Sequence, residues 1–175
     1  RVREMVQLGS GLDNKNRLDE DAIVRALDCL TRFGERLRGM DPENVRIVGT
    51  NTLRKARNAA SFIRRAEKAL GFPIEIISGI EEARLIYHGV SQTLQGDRGR
   101  RLVVDIGGGS TEMIVGDRAL PIYMESLYMG CVSTSKKFFD DGKISRSRMR
   151  KAIMAANVEL EPHVAHFIRL EWVDV

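Results

Sequence analysis

The stretch LVVDIGGGSTEMIVG, residues 102–116, decides the fold of this chain. Three consecutive glycines lie between two short apolar runs, with Asp105 before them and Glu112 after them. A dinucleotide-binding fingerprint would require a helix to begin after the glycines. Here a short apolar run follows Glu112 and ends at Gly116, which is too short for a helix. The stretch therefore predicts a β-hairpin with a glycine turn.

The glycine turn is a candidate phosphate site. Residues without a Cβ allow successive backbone N–H groups to point into one concavity, and such an arrangement binds anions such as phosphate. Asp105, at the end of the first predicted strand, can hold a hydrated Mg²⁺, which usually binds through one or two carboxylates and substrate phosphates. Glycines alone more often form an ordinary tight turn. The order Asp, three Gly, Ser, Thr and Glu favours a ligand site.

Composition limits the class of protein. A chain of 175 residues with 43% hydrophobic and 30% charged residues is typical of one globular domain or two small lobes. The apolar runs are strand-sized and the first residues resemble no signal peptide, so we expect a cytoplasmic protein without a membrane partner. Cys29 and Cys131 form neither a disulfide framework nor a metal-ligand spacing. A net charge of +4 suits an anionic ligand, although solvated basic surfaces cause such values more often, and we expect no nucleic-acid partner.

Helical and strand-like patterns alternate along the chain, which predicts an α/β fold. Pro162 lies inside the last helical pattern and is expected to kink or interrupt it. The predicted helices begin at or near Asp19, Asn58, Ile80 and Ser145, and the first two end near Gly39 and Gly71.

The predicted strands fall into two groups, separated by the polar stretch 91–101. Because that stretch is the best candidate for a linker, we predict a boundary between two lobes there. A buried strand is predicted at 45–48 and a second strand at 74–77. Three further strands are predicted at 102–106, 112–115 and about 121–127.

Four motifs, in this order along the chain, resemble the exopolyphosphatase/guanosine pentaphosphate phosphohydrolase family. IVGTNTLRKARNA (47–59) resembles its basic substrate segment and PIEIISGIEEARLIY (73–87) its catalytic segment. VVDIGGGSTEMIVG (103–116) resembles its second phosphate-binding hairpin, and MGCVSTSKKFF (129–139) the loop after it. The resemblance implies the actin-like, ribonuclease H-like fold of sugar kinases and chaperone ATPases, in which two α/β lobes close over a phosphate chain and Mg²⁺.

The resemblance also implies that the chain is an incomplete part of that fold. Family members begin with a first phosphate loop that has no counterpart here. Residues 1–95 are therefore expected to form most of lobe one without its N-terminal phosphate-loop hairpin, and residues 100–175 the start of lobe two with the second hairpin. We expect this chain alone to hydrolyse polyphosphate negligibly, because one wall of the phosphate clamp is missing.

Geometry and resemblance both select Glu82 as the catalytic residue. On a helix, Glu82 shares the apolar face of Leu85 and Ile86. Glu81 shares its face partly with Arg84. The resemblance assigns to the second glutamate the role of the general base that takes a proton from the attacking water. Without the resemblance, two acids in a first turn are more often explained by the helix dipole.

Arg54 is the candidate substrate-binding cation. It follows a predicted strand end, where α/β proteins place ligand-contacting loops, and a guanidinium can bind phosphate at two points. A solvated arginine on a helix surface explains Arg54 equally well from sequence alone. The resemblance favours substrate contact.

The resemblance implies a Mg²⁺-dependent hydrolase, in which Mn²⁺ can replace Mg²⁺, that releases orthophosphate from the end of inorganic polyphosphate. Hydrolysis of guanosine pentaphosphate (pppGpp to ppGpp) stays open as an alternative, as does a non-catalytic nucleotide- or phosphate-sensing module. The full-length protein is expected to be a homodimer. The implied phosphate-binding residues are Gly107, Gly108, Gly109, Ser110 and Thr111, and the implied metal-binding residues are Asp105 and Glu112.

Overall fold

The computed structural model describes residues 2–93 and 99–175, which form two compact units. The N-terminal unit ends at Ile77 and the C-terminal unit begins at Ser78. Part of the predicted boundary stretch, residues 94–98, lies outside the described residues. The division between the units is N-terminal to that stretch.

The N-terminal unit packs three helices beside a small parallel sheet. Its helices are α1 (Glu20–Leu37), α2 (Asn51–Lys55) and α3 (Ala59–Leu70), and its strands are β1 (Val48–Gly49) and β2 (Glu75–Ile76). Short 3₁₀ turns cover Leu8–Gly11 and Pro42–Asn44. The core lies between α1, α2 and α3, and its buried side chains include those of Ile23, Leu53, Phe62 and Ala66.

Local signals position α1 and α3 as predicted. The carboxylate of Asp19 accepts a hydrogen bond from the backbone N–H of Ala22 at 2.6 Å, so Asp19 caps α1. Helix α3 follows Asn58 and ends at Gly71. The side chain of Asn58 also exchanges two hydrogen bonds with the backbone of Leu18, which ties α3 to the segment before α1.

The two strands of this unit are shorter and more exposed than predicted. A buried strand was expected at 45–48 and a second strand at 74–77, but β1 and β2 pair only as Val48 with Glu75 and Gly49 with Ile76. Val48 and Ile76 are 38% and 41% exposed. The prediction of a buried strand at 45–48 is therefore wrong, because β1 has one hydrogen-bonding neighbour among the described residues and its Val48 side chain is only partly covered.

The C-terminal unit places three helices around an antiparallel meander. In chain order its elements are α4 (Gly79–Thr93), β3 (Arg100–Ile106), β4 (Thr111–Asp117), β5 (Leu120–Leu127), α5 (Cys131–Phe138) and α6 (Arg146–Arg169). Strand β4 lies between β3 and β5 and pairs antiparallel with both. Helix α4 packs on β4 and β5 and therefore belongs to this unit.

The sheet buries a different helix on each face, because side chains alternate along each strand. The face that contacts α4, called the α4 face, packs Ile114 against Ala83 and Tyr87. The opposite α6 face packs Leu102 and Val115 against Phe167 and its neighbours. Cross-strand pairing assigns further residues to the α4 face, namely Val103, Asp105, Glu112, Met124 and Ser126.

Helix α6 runs through Pro162 without interruption. The predicted interruption does not occur, although proline removes one backbone donor from the helix. Ala152 and Phe167, on either side of Pro162, are both buried, so tertiary packing holds both halves of the helix. None of the helices in the described part of the chain is both long enough and apolar enough to cross a bilayer.

Candidate active site

The glycine turn joins β3 to β4 as the sequence predicts. The last paired residues are Ile106 and Thr111, and the turn is closed by the N–H of Gly107, which donates to the carbonyl of Ser110 at 2.9 Å. Neither Gly107 nor Gly108 adopts the left-handed backbone conformation that favours glycine. The ordinary explanation of these glycines, a tight turn with positive φ, therefore does not apply at these two positions.

Glu112 is the buried carboxyl group beneath the turn. Its residue is only 1% exposed, and its Oε1 accepts a hydrogen bond from the Ser126 hydroxyl at 2.8 Å. The Ser110 hydroxyl also hydrogen-bonds to it. Burial raises the pKa of Glu112, the two hydroxyls partly oppose that shift, and the negative charges of Glu82 and Asp105 raise the pKa further. The carboxyl groups of Glu82, Asp105 and Glu112 are therefore close enough to interact electrostatically.

Helix α4 brings Glu82 to this cluster. Ala83 and Tyr87 pack on the sheet, and Ile86 lies against the same core, so the first turn of α4 is fixed over the α4 face. The neighbouring Glu81 is held differently, since its carboxylate accepts two hydrogen bonds from the Arg84 guanidinium at 2.7 and 2.8 Å. The structure thus gives the two adjacent glutamates different surroundings.

Asp105 fits a hydrated metal ion better than Glu112 does. Asp105 is exposed at the end of β3 and pairs directly across the hairpin with Glu112. Glu112 is enclosed and already accepts hydrogen bonds from two hydroxyls, so direct metal contact suits it poorly. Within residues 2–93 and 99–175, no group of three or more His, Cys, Asp or Glu side chains could hold a metal ion by itself. Mg²⁺ does not require such a group, because it binds through one or two carboxylates plus phosphate and water.

The hydroxyls of the turn have protein partners. The Thr111 hydroxyl donates to the carbonyl of Met129 at 2.7 Å, and the Ser110 hydroxyl contacts Glu112. Both residues are buried, with Thr111 4% and Ser110 3% exposed. Contact between these hydroxyls and phosphate remains a prediction, whereas their observed role is to fix the turn on the sheet.

Arg54 lies in the N-terminal unit, in the last turn of α2. Its guanidinium donates a hydrogen bond to the carbonyl of Ile77 at 2.8 Å, across to the residue that follows β2. This contact holds the arginine at the end of the small sheet. Its predicted role in substrate binding stays a prediction.

Two residues of the site were not singled out from the sequence. Ser126 supplies a hydrogen bond to Glu112 from β5, and Gly130 lies directly against the backbone of Gly108 and Gly109. Neither has a local sequence signal for its role, because each contact joins residues that are more than ten positions apart. For Gly130, the sequence showed only that a glycine precedes Cys131.

The fold, with carboxylates beside the glycine turn, is typical of phosphate-binding α/β proteins. Comparison with known proteins agrees. Residues 1–174 match the Ppx/GppA phosphatase family, and the chain belongs to that family. It is 47% identical over 175 residues to a Haemophilus influenzae protein whose name marks it as a candidate exopolyphosphatase, covering all of this chain and 54% of that protein. It is 46% identical over 172 residues to a guanosine-5'-triphosphate,3'-diphosphate pyrophosphatase of Vibrio cholerae, covering 98% of this chain and 34% of that protein.

Solved structures support the same conclusion about the fold. An exopolyphosphatase from Cytophaga hutchinsonii superposes with a TM-score of 0.76 at 31% identity, covering 92% of this chain and 53% of that one. The Aquifex aeolicus PPX-GPPA enzyme superposes with a TM-score of 0.70 at 28% identity, covering 91% and 53%. The predicted fold class, the actin-like α/β fold of this family, is confirmed. The chain spans about half the length of these structures and from a third to about half of the two curated relatives.

Proposed function

We propose that the protein is a Mg²⁺-dependent phosphoanhydride hydrolase that releases orthophosphate from the end of inorganic polyphosphate. The observation that carries this proposal is the gathering of Glu82, Asp105 and Glu112 around the glycine turn. A site that collects like charges raises the electrostatic energy of the folded protein, which is typical of functional sites that receive a cation. Membership of a phosphatase family supports the same reaction class.

The chain's own residues would divide the chemistry as follows. Glu82 would accept a proton from the water whose oxygen attacks the terminal phosphorus, while the bridging P–O bond breaks and its electron pair stays with the shortened chain. The amides of Gly108 and Gly109 would hold the terminal phosphate, whereas the N–H of Gly107 already donates to the carbonyl of Ser110. Arg54 would neutralise the chain. Mg²⁺ bound at Asp105 would neutralise phosphate oxygens. Positioning and charge neutralisation would supply most of the rate, as in other phosphoryl transfers.

Hydrolysis of guanosine pentaphosphate is the second candidate. One observation favours it: the relative named for that activity is 46% identical to this chain, almost the same as the 47% of the relative named for polyphosphate. Both substrates end in a phosphoanhydride, so the carboxylate cluster suits either. The difference between them lies in the leaving group.

The test measures orthophosphate release by the full-length protein from long-chain polyphosphate and from guanosine pentaphosphate, in Mg²⁺ and in excess chelator. We expect Mg²⁺-dependent release, with the larger kcat/KM for polyphosphate. A larger kcat/KM for guanosine pentaphosphate would favour the second candidate. Binding of both compounds without release would show a sensing module and would reject the hydrolase.

A further inference from the structure

The first N–H groups of helix α5 donate hydrogen bonds to carbonyl groups of the glycine turn. The backbone N–H of Cys131 donates to the carbonyl of Gly107 at 2.9 Å. The N–H groups of Val132 and Ser133 both donate to the carbonyl of Gly108, at 2.9 and 3.0 Å. The first N–H groups of a helix have no partner within the helix. In α5, three of these N–H groups donate to carbonyls of the glycine turn, so the start of this helix makes an intramolecular contact with the turn.

These hydrogen bonds also determine where the amides of the turn point. The carbonyl of Gly107 and the N–H of Gly108 belong to one planar trans peptide, so they point in opposite directions. The same holds for the carbonyl of Gly108 and the N–H of Gly109. Fixing the two carbonyls on α5 therefore directs the two N–H groups away from α5. Hydrogen bonding at a carbonyl also polarises its peptide group, which strengthens the N–H as a donor.

Gly130 allows α5 to approach this closely. A Cβ at position 130 would lie 2.6 Å from the carbonyl carbon of Gly108 and 2.6 Å from the nitrogen of Gly109. Real Cβ atoms do not come this near to backbone atoms. Gly130 has an extended backbone, with φ −158° and ψ 166°, so it is needed for space and not for its conformational freedom. A larger residue would push α5 and the turn apart.

We propose that Gly130 and the first amides of α5 are the positioning residues of the phosphate site, because they aim the Gly108 and Gly109 amides at the terminal phosphate. This inference rests on the function proposed above. It assigns to α5 an indirect role: the helix contacts the turn, and the turn contacts phosphate. A substitution at the first residue of α5 should therefore weaken phosphate binding more than it lowers the stability of the fold.

The sharpest test is Cys131→Pro in the full-length protein. Proline lacks the N–H that donates to Gly107 but is favoured in the first turn of a helix, so α5 itself should persist. The extended backbone of Gly130 is also the conformation that a residue before proline prefers. Comparison with Cys131→Ala isolates the lost N–H, because the thiol is absent from both variants. We expect a KM for polyphosphate about tenfold higher in the proline variant, from the loss of the hydrogen bond that the Cys131 N–H donates to the carbonyl of Gly107.

A second pair of variants tests the close approach. Gly130→Ala should raise KM by at least as much as Cys131→Pro, because its Cβ displaces the peptide group between Gly108 and Gly109. Gly89→Ala is the matched control, since a Cβ at position 89 of α4 meets nothing within 4 Å. If Gly130→Ala lowers the melting temperature but leaves KM equal to that of Gly89→Ala, the contact is only structural and the inference is overturned. Should Cys131→Pro fail to fold, this pair decides by the same criterion.

A readout that does not depend on turnover separates the inference from the proposed function. In the full-length protein labelled with isotopic glycine, titration with orthophosphate should shift the amide resonances of Gly108 and Gly109 most, and the shifts should weaken in Cys131→Pro relative to Cys131→Ala. A parent protein that binds phosphate without shifting these two amides would overturn the inference and leave the hydrolase intact. A parent that shows the shifts but releases no orthophosphate would reject the hydrolase and leave the positioning role standing.

Discussion

The two faces of the three-stranded sheet are built from the same strands but end differently at the glycine turn. On the α4 face, residues paired across the three strands form rows. The apolar rows are followed, next to the turn, by the polar row of Asp105, Glu112 and Ser126. On the α6 face, the rows end in Val104 and Ile106, which are 40% and 67% exposed. The polar row lies where Glu82 reaches the sheet, so only the α4 face carries the chemistry proposed for this protein.

The α6 face also contains titratable groups, and they show why proximity alone does not indicate function. The Tyr123 hydroxyl donates to Glu125 at 2.8 Å, and Nδ1 of His163 lies 3.2 Å from the same carboxylate. Phe167 packs edge-to-face on the Tyr123 ring. Groups of complementary character satisfy one another here and hold α6 to β5. On the α4 face, like charges gather instead, and a bound cation would stabilise such an arrangement.

The largest effect on turnover is expected from replacing the proposed base, Glu82, whereas the same replacement of the adjacent Glu81 should have little effect. We expect Glu82→Gln in the full-length protein to lower kcat for orthophosphate release from polyphosphate by about 10²–10⁴-fold, because only proton abstraction is removed. KM should stay within a few-fold of the parent value. Glu81→Gln is the control and should be mild, since Glu81 pairs with the half-exposed Arg84. Turnover of Glu82→Gln within a few-fold of the parent would contradict the assignment.

The metal assignment can be tested at the exposed end of the same polar row. Asp105→Ala should raise the Mg²⁺ concentration needed for half-maximal rate and should also lower the maximal rate, because the carboxylate proposed to hold the ion is lost. Asp117→Ala is the matched control, since Asp117 lies at the opposite end of β4. The measurement is a Mg²⁺ titration of orthophosphate release. Identical titration curves for the two variants, or full activity in excess chelator, would contradict the assignment.

The elements that the sequence predicts well are those whose signals are local. Helix α1 is capped by its own Asp19, and the β3–β4 hairpin is indicated by apolar runs on both sides of three glycines. Helices α2 and α5 were not predicted. Helix α2 is a single short segment stabilised by Leu53 in the core. Helix α5 begins where the carbonyls of the glycine turn accept hydrogen bonds from its first N–H groups. Tertiary contacts, not local propensity, determine such elements.

The candidate site shows the same division. The types and spacing of residues, together with the family resemblance, select Glu82, Asp105 and the glycines of the turn as candidates. The sequence could not show that Glu112 is buried, because its enclosure depends on Ser126, fourteen positions away, and on the packing of α4. Metal contact by Glu112 therefore stays a prediction to which its surroundings lend little support.

A glycine on the β4 strand tests whether α4 must lie close to the sheet. A Cβ on Gly116 would collide with the ring of Tyr87 and would lie 2.6 Å from the carbonyl oxygen of Leu120. We expect Gly116→Ala to lower the free energy of unfolding by about 2 kcal/mol through overpacking. Gly89→Ala should be neutral or stabilising, because it lies in open space on a helix. Urea denaturation measures both, and equal stabilities would show that α4 can shift without cost.

Glu82 reaches the polar row through the same packing, so Gly116→Ala should also lower kcat. The decrease should be smaller than that of Glu82→Gln, because the carboxylate is displaced and not removed. A destabilised variant with unchanged kcat would show that the position of the first turn of α4 does not depend on Tyr87.

The smallest effect is expected on the α6 face, where Tyr123→Phe removes one hydroxyl. The loss of its hydrogen bond to Glu125 should cost about 1 kcal/mol of stability at neutral pH and leave kcat and KM unchanged. Burial, with the hydrogen bond to Glu125 and its negative charge, raises the pKa of Tyr123 to about 12 from an ordinary 10. Because the folded state favours the neutral phenol, this stabilisation is complete below pH 10 and is lost as the pH rises towards 12. The stability of the parent should therefore converge on that of Tyr123→Phe over this range, and the phenolate absorbance that the variant lacks should appear near pH 12. A Tyr123→Phe variant with reduced turnover at neutral pH would show that the two faces of the sheet are coupled, and the division of roles between them would have to be given up.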